Sequence, residues 1–101
     1  MIVVEFAVVP LRTKTPSVSK YVAAAVKTVE EFGFKAELTG MGTVFEAKGM
    51  KTALAAIERA HNAVFEAGAK RVVTFVRIDE RRDKESSVER KTRAVRERMK
   101  R

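Results

Sequence analysis

The chain carries strand-like and helix-like hydrophobic patterns in a regular order. Residues 2–9 are rich in β-branched side chains and predict a first strand, which Pro10 ends. From Val18 to Phe32 the apolar residues recur at helical spacing. The Thr15-Pro16 pair predicts the start of this helix, because threonine is a capping residue and proline suits the first helical position. Gly33 predicts its end.

The second half of the chain begins with a predicted hairpin. Residues 34–39 alternate between apolar and polar and predict a half-buried second strand, and Gly40-Met41-Gly42 joins it to a third strand over Thr43–Lys48. A second helix from about Lys51 to Ala67 and a fourth strand over Arg71–Asp79 follow. The core-facing stripe of the second helix is predicted to be Leu54, Ile57, His61 and Val64, with alanines at 53, 56, 60 and 63 beside it.

The order βαββαβ predicts an α+β, ferredoxin-like sandwich, in which one antiparallel four-stranded sheet carries both long helices on one face. We expect one domain over residues 1–101, with a core over 1–79 and an extra basic helix over about 87–99. The alternate face of the first strand, Val3 to Val9, is too apolar for a surface in water. We therefore expect two copies to pack these helix-free faces against each other.

Two carboxylates fall inside otherwise good strands. Strand parity places Glu5 and Glu46 on the same helix-free face, where burial is costly unless a cation or a hydrogen-bond donor meets the charge. One interpretation is a site for a cationic or hydrogen-bond-donating ligand. Another is a salt bridge between subunits with Arg77 or a lysine. Paired carboxylates also occur in glycosidases, but the chain is too short to form their cleft.

The sequence offers little other chemistry. It has no cysteine and a single histidine, which excludes disulfides, thiolate chemistry and a histidine-rich metal centre. His61 has no nucleophile in a recognisable motif, so we expect it to pack. Ser17 and Ser19, at the start of the first helix, suit anion binding by free amides and equally suit capping. We expect a protein that is not an enzyme and that uses no cofactor and no metal ion.

The net charge of +8 is concentrated at the carboxyl end, where residues 80–101 hold ten Lys/Arg and five Asp/Glu. The last helix has an apolar seam (Val88, Thr92, Val95, Met99) that predicts docking on its own sheet or on a neighbouring subunit. Nucleic-acid binding is the alternative explanation of the charge, although interleaved glutamates and the missing RNA-recognition signature argue against it.

The absence of a long apolar run predicts a cytoplasmic protein with no membrane partner. The charge-rich composition is typical of heat-adapted prokaryotic proteins.

Several segments together resemble the small thiamine-binding-protein family. The most specific are Met41-Gly42-Thr43-Val44-Phe45-Glu46 and Ile78-Asp79-Glu80-Arg81-Arg82-Asp83-Lys84, and the resemblance covers residues 2 to about 98. It implies a ferredoxin-like subunit, dimers formed through the sheets, often tetramers, and non-catalytic binding of thiamine or its hydroxymethylpyrimidine portion. A structural or regulatory oligomer without a ligand is the alternative.

The resemblance also suggests ligand contacts. Thr43 and Glu46 match family motif positions, and geometry adds Glu5, Thr39, Met41 and Tyr21 as candidate ligand-binding residues. A carboxylate suits the thiazolium or the pyrimidine amino group, the threonines suit the pyrimidine edge, and Met41 or Tyr21 would supply an apolar wall. One departure from the family is the loop Leu11–Lys14, which replaces a usual glycine and adds two cations. These cations leave open a neutral or anionic ligand.

Overall fold

The computed structural model describes residues 1–100 and has the ferredoxin-like α+β architecture. Four antiparallel strands form one sheet in the order β2-β3-β1-β4, so the first and third strands are central neighbours. The elements are β1 (Ile2–Pro10), α1 (Ser19–Glu31), β2 (Glu37–Leu38), β3 (Thr43–Ala47), α2 (Met50–Glu66), β4 (Val72–Glu80) and α3 (Val88–Met99).

The core lies between one face of the sheet and the two long helices. Side chains of β1 alternate strictly, with Ile2, Val4, Phe6 and Val8 buried beneath the helices. Phe45 in β3 joins them, and its ring meets the ring of Phe6 edge-on with centroids 6.1 Å apart. This alternation leaves Val3, Glu5, Ala7 and Val9 on the opposite side of the sheet, which we call the open face.

Helix α1 begins later than the sequence predicts, so the prediction of a start at Thr15-Pro16 is wrong. The helix starts at Ser19, with Val18 at its cap position. The Thr15 hydroxyl oxygen instead accepts a hydrogen bond from the Ser17 backbone N–H at 3.2 Å, and the Thr15 carbonyl accepts one from the Thr13 hydroxyl at 2.6 Å. Such local bonds offer the backbone an alternative to the first helical turn.

The buried stripe of α2 is also shifted from the prediction. Ala53, Ala56 and Ala60 are buried together with Val64, whereas Leu54 is half exposed. Alanines at these positions allow α2 to pack closely on α1 and the sheet, which moves the larger side chains to the flanks. His61 lies on one flank, where its Nδ1 is 2.6 Å from the Thr74 hydroxyl oxygen and its ring packs edge-on against Phe65.

The second strand is shorter than predicted. Only Glu37 and Leu38 pair with β3, opposite Val44 and Thr43. Phe34 contributes through packing instead, because its ring lies 4.9 Å from that of Phe45 by centroid.

Across residues 1–100, every helix is either too short or too polar to cross a membrane.

Candidate functional site

Charged side chains line up across the open face. Glu5 in β1 lies directly opposite Val44 in β3 on one side and Arg77 in β4 on the other. Residues directly opposite in antiparallel strands point to the same face, so these three side chains form one row. Glu46 pairs with Val3, which makes it a diagonal neighbour of Glu5 at about 7–8 Å. Both carboxylates therefore lie on the open face, as strand parity predicts.

Glu5 forms an ion pair with Arg77 of the same chain. The Arg77 Nε donates a hydrogen bond to Glu5 Oε1 at 2.8 Å, and the Arg77 Nη2 also binds Oε1. Within residues 1–100, both hydrogen bonds to this carboxylate end on Oε1, so Oε2 is available to a further donor. The Arg77 side chain is 81% exposed, and exposed ion pairs of this kind stabilise a protein by only about 0–1 kcal/mol.

Glu46 is held by the start of the last helix. Its Oε1 accepts a hydrogen bond of 2.6 Å from the backbone N–H of Val88, the first residue of α3. Ser87 caps the same helix, accepting a hydrogen bond from the Arg90 N–H at 3.1 Å. A helix amino terminus carries partial positive charge, which favours a carboxylate at this position. The donor that a half-buried Glu46 requires is therefore supplied by α3.

The beginning of α3 and the sheet enclose a groove. Lys91 forms an ion pair with Asp79 of β4, which fixes α3 over this part of the open face. The groove has a volume of about 410 Å³, within the range of roughly 300–1,000 Å³ typical of small-ligand sites. Its lining residues are Val3, Glu5, Val44, Arg77, Ile78, Asp79, Val88, Lys91 and Thr92.

The six residues predicted to contact a ligand lie in separate parts of the molecule. Glu5 lines the groove, and Glu46 is on the same face. Thr43 is buried on the helix side of the sheet, and Tyr21 is buried in α1. Thr39 and Met41 belong to the β2–β3 turn. For all six residues a ligand contact stays a prediction, and Glu5 is the one of the six that lines the groove.

The β2–β3 turn is organised by Thr39. Its hydroxyl donates to the Gly42 carbonyl at 2.9 Å and accepts from the Met41 and Gly42 backbone N–H groups at 3.2 and 3.1 Å. Thr39, Met41 and Thr43 line a cavity of about 180 Å³ together with apolar residues of α1 and β1. This volume is below the roughly 300 Å³ at which small-ligand sites begin, so the larger groove is the better candidate.

The connection from β4 to α3 contains a second ion pair. Arg81 donates to Asp83 through Nε and Nη2, at 2.9 and 2.5 Å. Hydrogen bonding by the Arg81 guanidinium lowers the pKa of the Asp83 carboxyl from 3.8 to about 2. The family-like segment that ends in Arg81-Arg82-Asp83-Lys84 thus forms the turn that carries the chain onto the open face.

Sequence reasoning missed two features of this site. It did not identify the Val88 N–H as the partner of Glu46, or Lys91 as the partner of Asp79. Ser87 and the acidic Glu89 in the first turn of α3 are typical of a helix start, and that start could have been matched to the half-buried Glu46. No sequence pattern specified the Lys91 contact, because it depends on the direction in which α3 crosses the sheet.

The loop with two extra cations lies away from the groove. It follows Pro10, and the strand from Glu5 to Pro10 spans about 17 Å at roughly 3.3 Å per residue. That separation exceeds the Debye length of about 8 Å at physiological salt, so Arg12 and Lys14 have little effect on a charged ligand near Glu5.

Comparisons with known proteins agree with this fold. A sequence model described as thiamine-binding protein matches residues 4–96. A UPF0045 protein of Methanothermobacter thermautotrophicus is 40% identical over 99 residues, which are 98% of this chain and 100% of the relative. The crystal structure of hypothetical protein MJ1052 from Methanocaldococcus jannaschii superposes with a TM-score of 0.85 at 40% identity, covering 93% of this chain and 94% of that one.

A more distant structure shares the fold. A Thermotoga maritima protein, described provisionally as a thiamine biosynthesis/salvage protein, superposes with a TM-score of 0.76 at 19% identity, covering 92% of this chain and 97% of that one. At this identity the likeness shows the architecture alone. The match to the sequence model and the 40% identical relative extend over nearly the whole chain. The chain therefore belongs to the thiamine-binding protein family.

Proposed function

We propose that this protein binds thiamine, or the hydroxymethylpyrimidine portion of thiamine, without catalysis, in the groove on the open face. The observation that carries the proposal is the Glu5 carboxylate, which lines the groove with one oxygen held by Arg77 and the other available. An aminopyrimidine donates hydrogen bonds and a thiazolium is a cation, and a carboxylate meets either group well.

The charges around the groove support a cationic ligand. Glu5, Glu46 and Asp79 supply three carboxylates on the open face, and Arg77 and Lys91 supply two cations. The free energy of the exposed Glu5–Arg77 pair is small, so a ligand that replaces Arg77 loses little. Val3 and Val44 give the groove an apolar floor for a ring. In this proposal Glu5 contacts the ligand, and Glu46 holds the helix that closes one side.

We further propose that a second copy of the chain covers the remainder of the open face. Ala7, Val9, Val73 and Phe75 lie on this face beyond the groove, and we call them the bare patch. Phe75 is 60% exposed, and exposed apolar patches commonly mark interfaces.

Titration calorimetry with thiamine and with hydroxymethylpyrimidine tests the proposed ligand. We expect the parent protein to bind, and Glu5→Gln to bind about tenfold more weakly, since it loses one charge-assisted contact. Glu30→Gln is the matched control, because Glu30 is an exposed carboxylate on α1. The absence of heat at about 1 mM of either compound would overturn the ligand assignment. Equal affinities of the Glu5→Gln protein and the parent would overturn the role of Glu5.

A further inference from the structure

A second concave site lies at the other end of β1, and it shares none of its lining residues with the open-face groove. Its volume is about 380 Å³. Two separate connections form its walls: the β1–α1 segment, residues 11–17, and the α2–β4 segment, residues 68–70. The first residues of α1 close the remaining side. The volume is again within the roughly 300–1,000 Å³ typical of small-ligand sites.

Four cationic residues line this cavity. Arg12 and Lys14 come from the first connection, Lys20 from α1, and Lys70 from the second connection. Within the described part of the chain, none of the four forms an ion pair, and the lining contains no carboxylate. Four like charges around one cavity repel each other and favour an anion between them.

The backbone holds the two connections together. The Leu11 N–H donates to the Arg71 carbonyl at 2.8 Å, which joins the residues beside Arg12 and Lys70. The Ala69 N–H donates to the Val64 carbonyl at 3.2 Å, after Gly68 turns the chain with a φ of +116°. A left-handed φ of this size favours glycine, so Lys70 is delivered by a defined turn. The backbone segments that carry Arg12 and Lys70 are therefore held side by side.

Hydrogen-bond donors accompany the charge. Thr13, Thr15, Ser17 and Ser19 line the same cavity, and because the Thr13 hydroxyl already donates to the Thr15 carbonyl, the candidate donors are the hydroxyls of the other three residues. Helix α1 begins at this wall, and its cap residue, Val18, has no side-chain oxygen to accept from the first amides. Phosphate oxygens accept hydrogen bonds from hydroxyls and from amides and pair with Lys and Arg.

We propose that this cavity binds a phosphate group, either free or carried by a small phosphorylated metabolite. The proposal does not depend on the proposed thiamine site. A cavity of this volume has room for an organic group beside the phosphate, and the Tyr21 side chain in its lining offers an apolar surface to that group. Lys20 lies over the Tyr21 ring, with its Nζ 5.1 Å from the centroid.

Orthophosphate and glycerol 3-phosphate are the probes. Each is titrated into the whole chain, and NMR chemical-shift changes of the backbone amides report its binding. We expect shifts confined to residues 11–20 and 68–70, with an affinity at least about tenfold weaker in the double variant Arg12→Gln/Lys70→Gln. The control Lys27→Gln/Lys51→Gln removes two exposed charges from α1 and α2 outside the cavity, and should change affinity less than about twofold.

Each outcome of this experiment bears on the site. Tighter binding of glycerol 3-phosphate supports the site with an esterified phosphate as its ligand, and equal binding supports it with free phosphate. No shifts from either probe at about 10 mM would overturn the proposal. It would also be overturned if both double variants weakened binding equally, because the effect would then follow from net charge and not from the cavity.

Discussion

The carboxylate of Glu46 and the backbone N–H of Val88 join the sheet to the last helix through a hydrogen bond of 2.6 Å. The two residues are 42 positions apart in the chain, and their contact fixes where α3 begins on the open face. A side chain that looks unfavourable within β3 is thus the anchor of an element outside the four-stranded core.

Removing this acceptor should loosen the start of α3. We expect Glu46→Ala to lower the free energy of unfolding by about 1 kcal/mol, as the loss of a helix cap does, and to reduce hydrogen-exchange protection in the first turn of α3. Chemical denaturation and amide exchange measure the two effects. Glu46→Gln is the matched control, because its amide oxygen still accepts from Val88. Equal exchange in the two variants would contradict the anchoring role.

The two glycines of the β2–β3 turn should differ in their tolerance of a side chain. A Cβ at Gly42 would lie 3.1 Å from the Phe6 carbonyl oxygen and 3.5 Å from Glu5 Cγ, whereas a Cβ at Gly40 would have open space within 4 Å among the described residues. We expect Gly42→Ala to destabilise the protein by about 1–2 kcal/mol and Gly40→Ala to change stability by less than about 0.5 kcal/mol. Denaturant midpoints would show the difference, and equal midpoints would mean that the turn does not approach β1 closely.

Self-association through the bare patch should be sensitive to charge at Phe75. We expect Phe75→Glu to shift the protein to monomers in sedimentation velocity, because a carboxylate in an apolar interface loses its hydration. The control is Leu54→Glu on α2, where the parent side chain is also exposed, at 50%, but on the helix layer. If Leu54→Glu dissociates the assembly and Phe75→Glu does not, the interface lies on the helices instead.

The Asp83 carboxyl should titrate at unusually low pH. Its pKa is about 2 in the folded protein, below its ordinary value of 3.8. The stability that its interaction with Arg81 contributes is therefore fully present above about pH 3.8 and is lost as the pH falls toward 2. Carboxyl-carbon NMR should report this low midpoint and its return toward 3.8 in Arg81→Gln. Arg82→Gln is the control, since Arg82 pairs with Glu80. A midpoint unchanged by Arg81→Gln would show that another group lowers the pKa.

Much of the fold was predictable because it follows from local periodicity. The alternation in β1 specified its buried face correctly, and the spacing from Val18 to Phe32 identified α1. The start of α1 was not predictable from Thr15-Pro16, because Thr15 forms hydrogen bonds with Thr13 and Ser17 outside the helix. Side-chain bonds within a few residues can redirect a backbone that propensity alone would place in a helix.

The candidate site was less predictable than the fold. Parity placed Glu5 and Glu46 on one face, since that depends only on counting along strands. The groove depends on α3, whose direction over the sheet is set by Glu46 with Val88 and Lys91 with Asp79. Those pairs are distant in sequence and have no periodic pattern. Thr43 and Glu46 belong to one motif, yet Thr43 is buried on the helix side of the sheet and Glu46 lies on the open face, because a shared motif does not require a shared face.

The two edge strands of the sheet, β4 and β2, differ greatly in how many residues they pair with their neighbours. On one side β4 pairs with all nine residues from Ile2 to Pro10, while at the far edge β2 contributes only two residue pairs to β3. Heating should therefore fray the sheet from the β2 margin inward, leaving the Glu5–Arg77 row among the last ladders to open. A ligand bound at the Glu5–Arg77 row would therefore contact strands that stay paired after the β2 edge has opened.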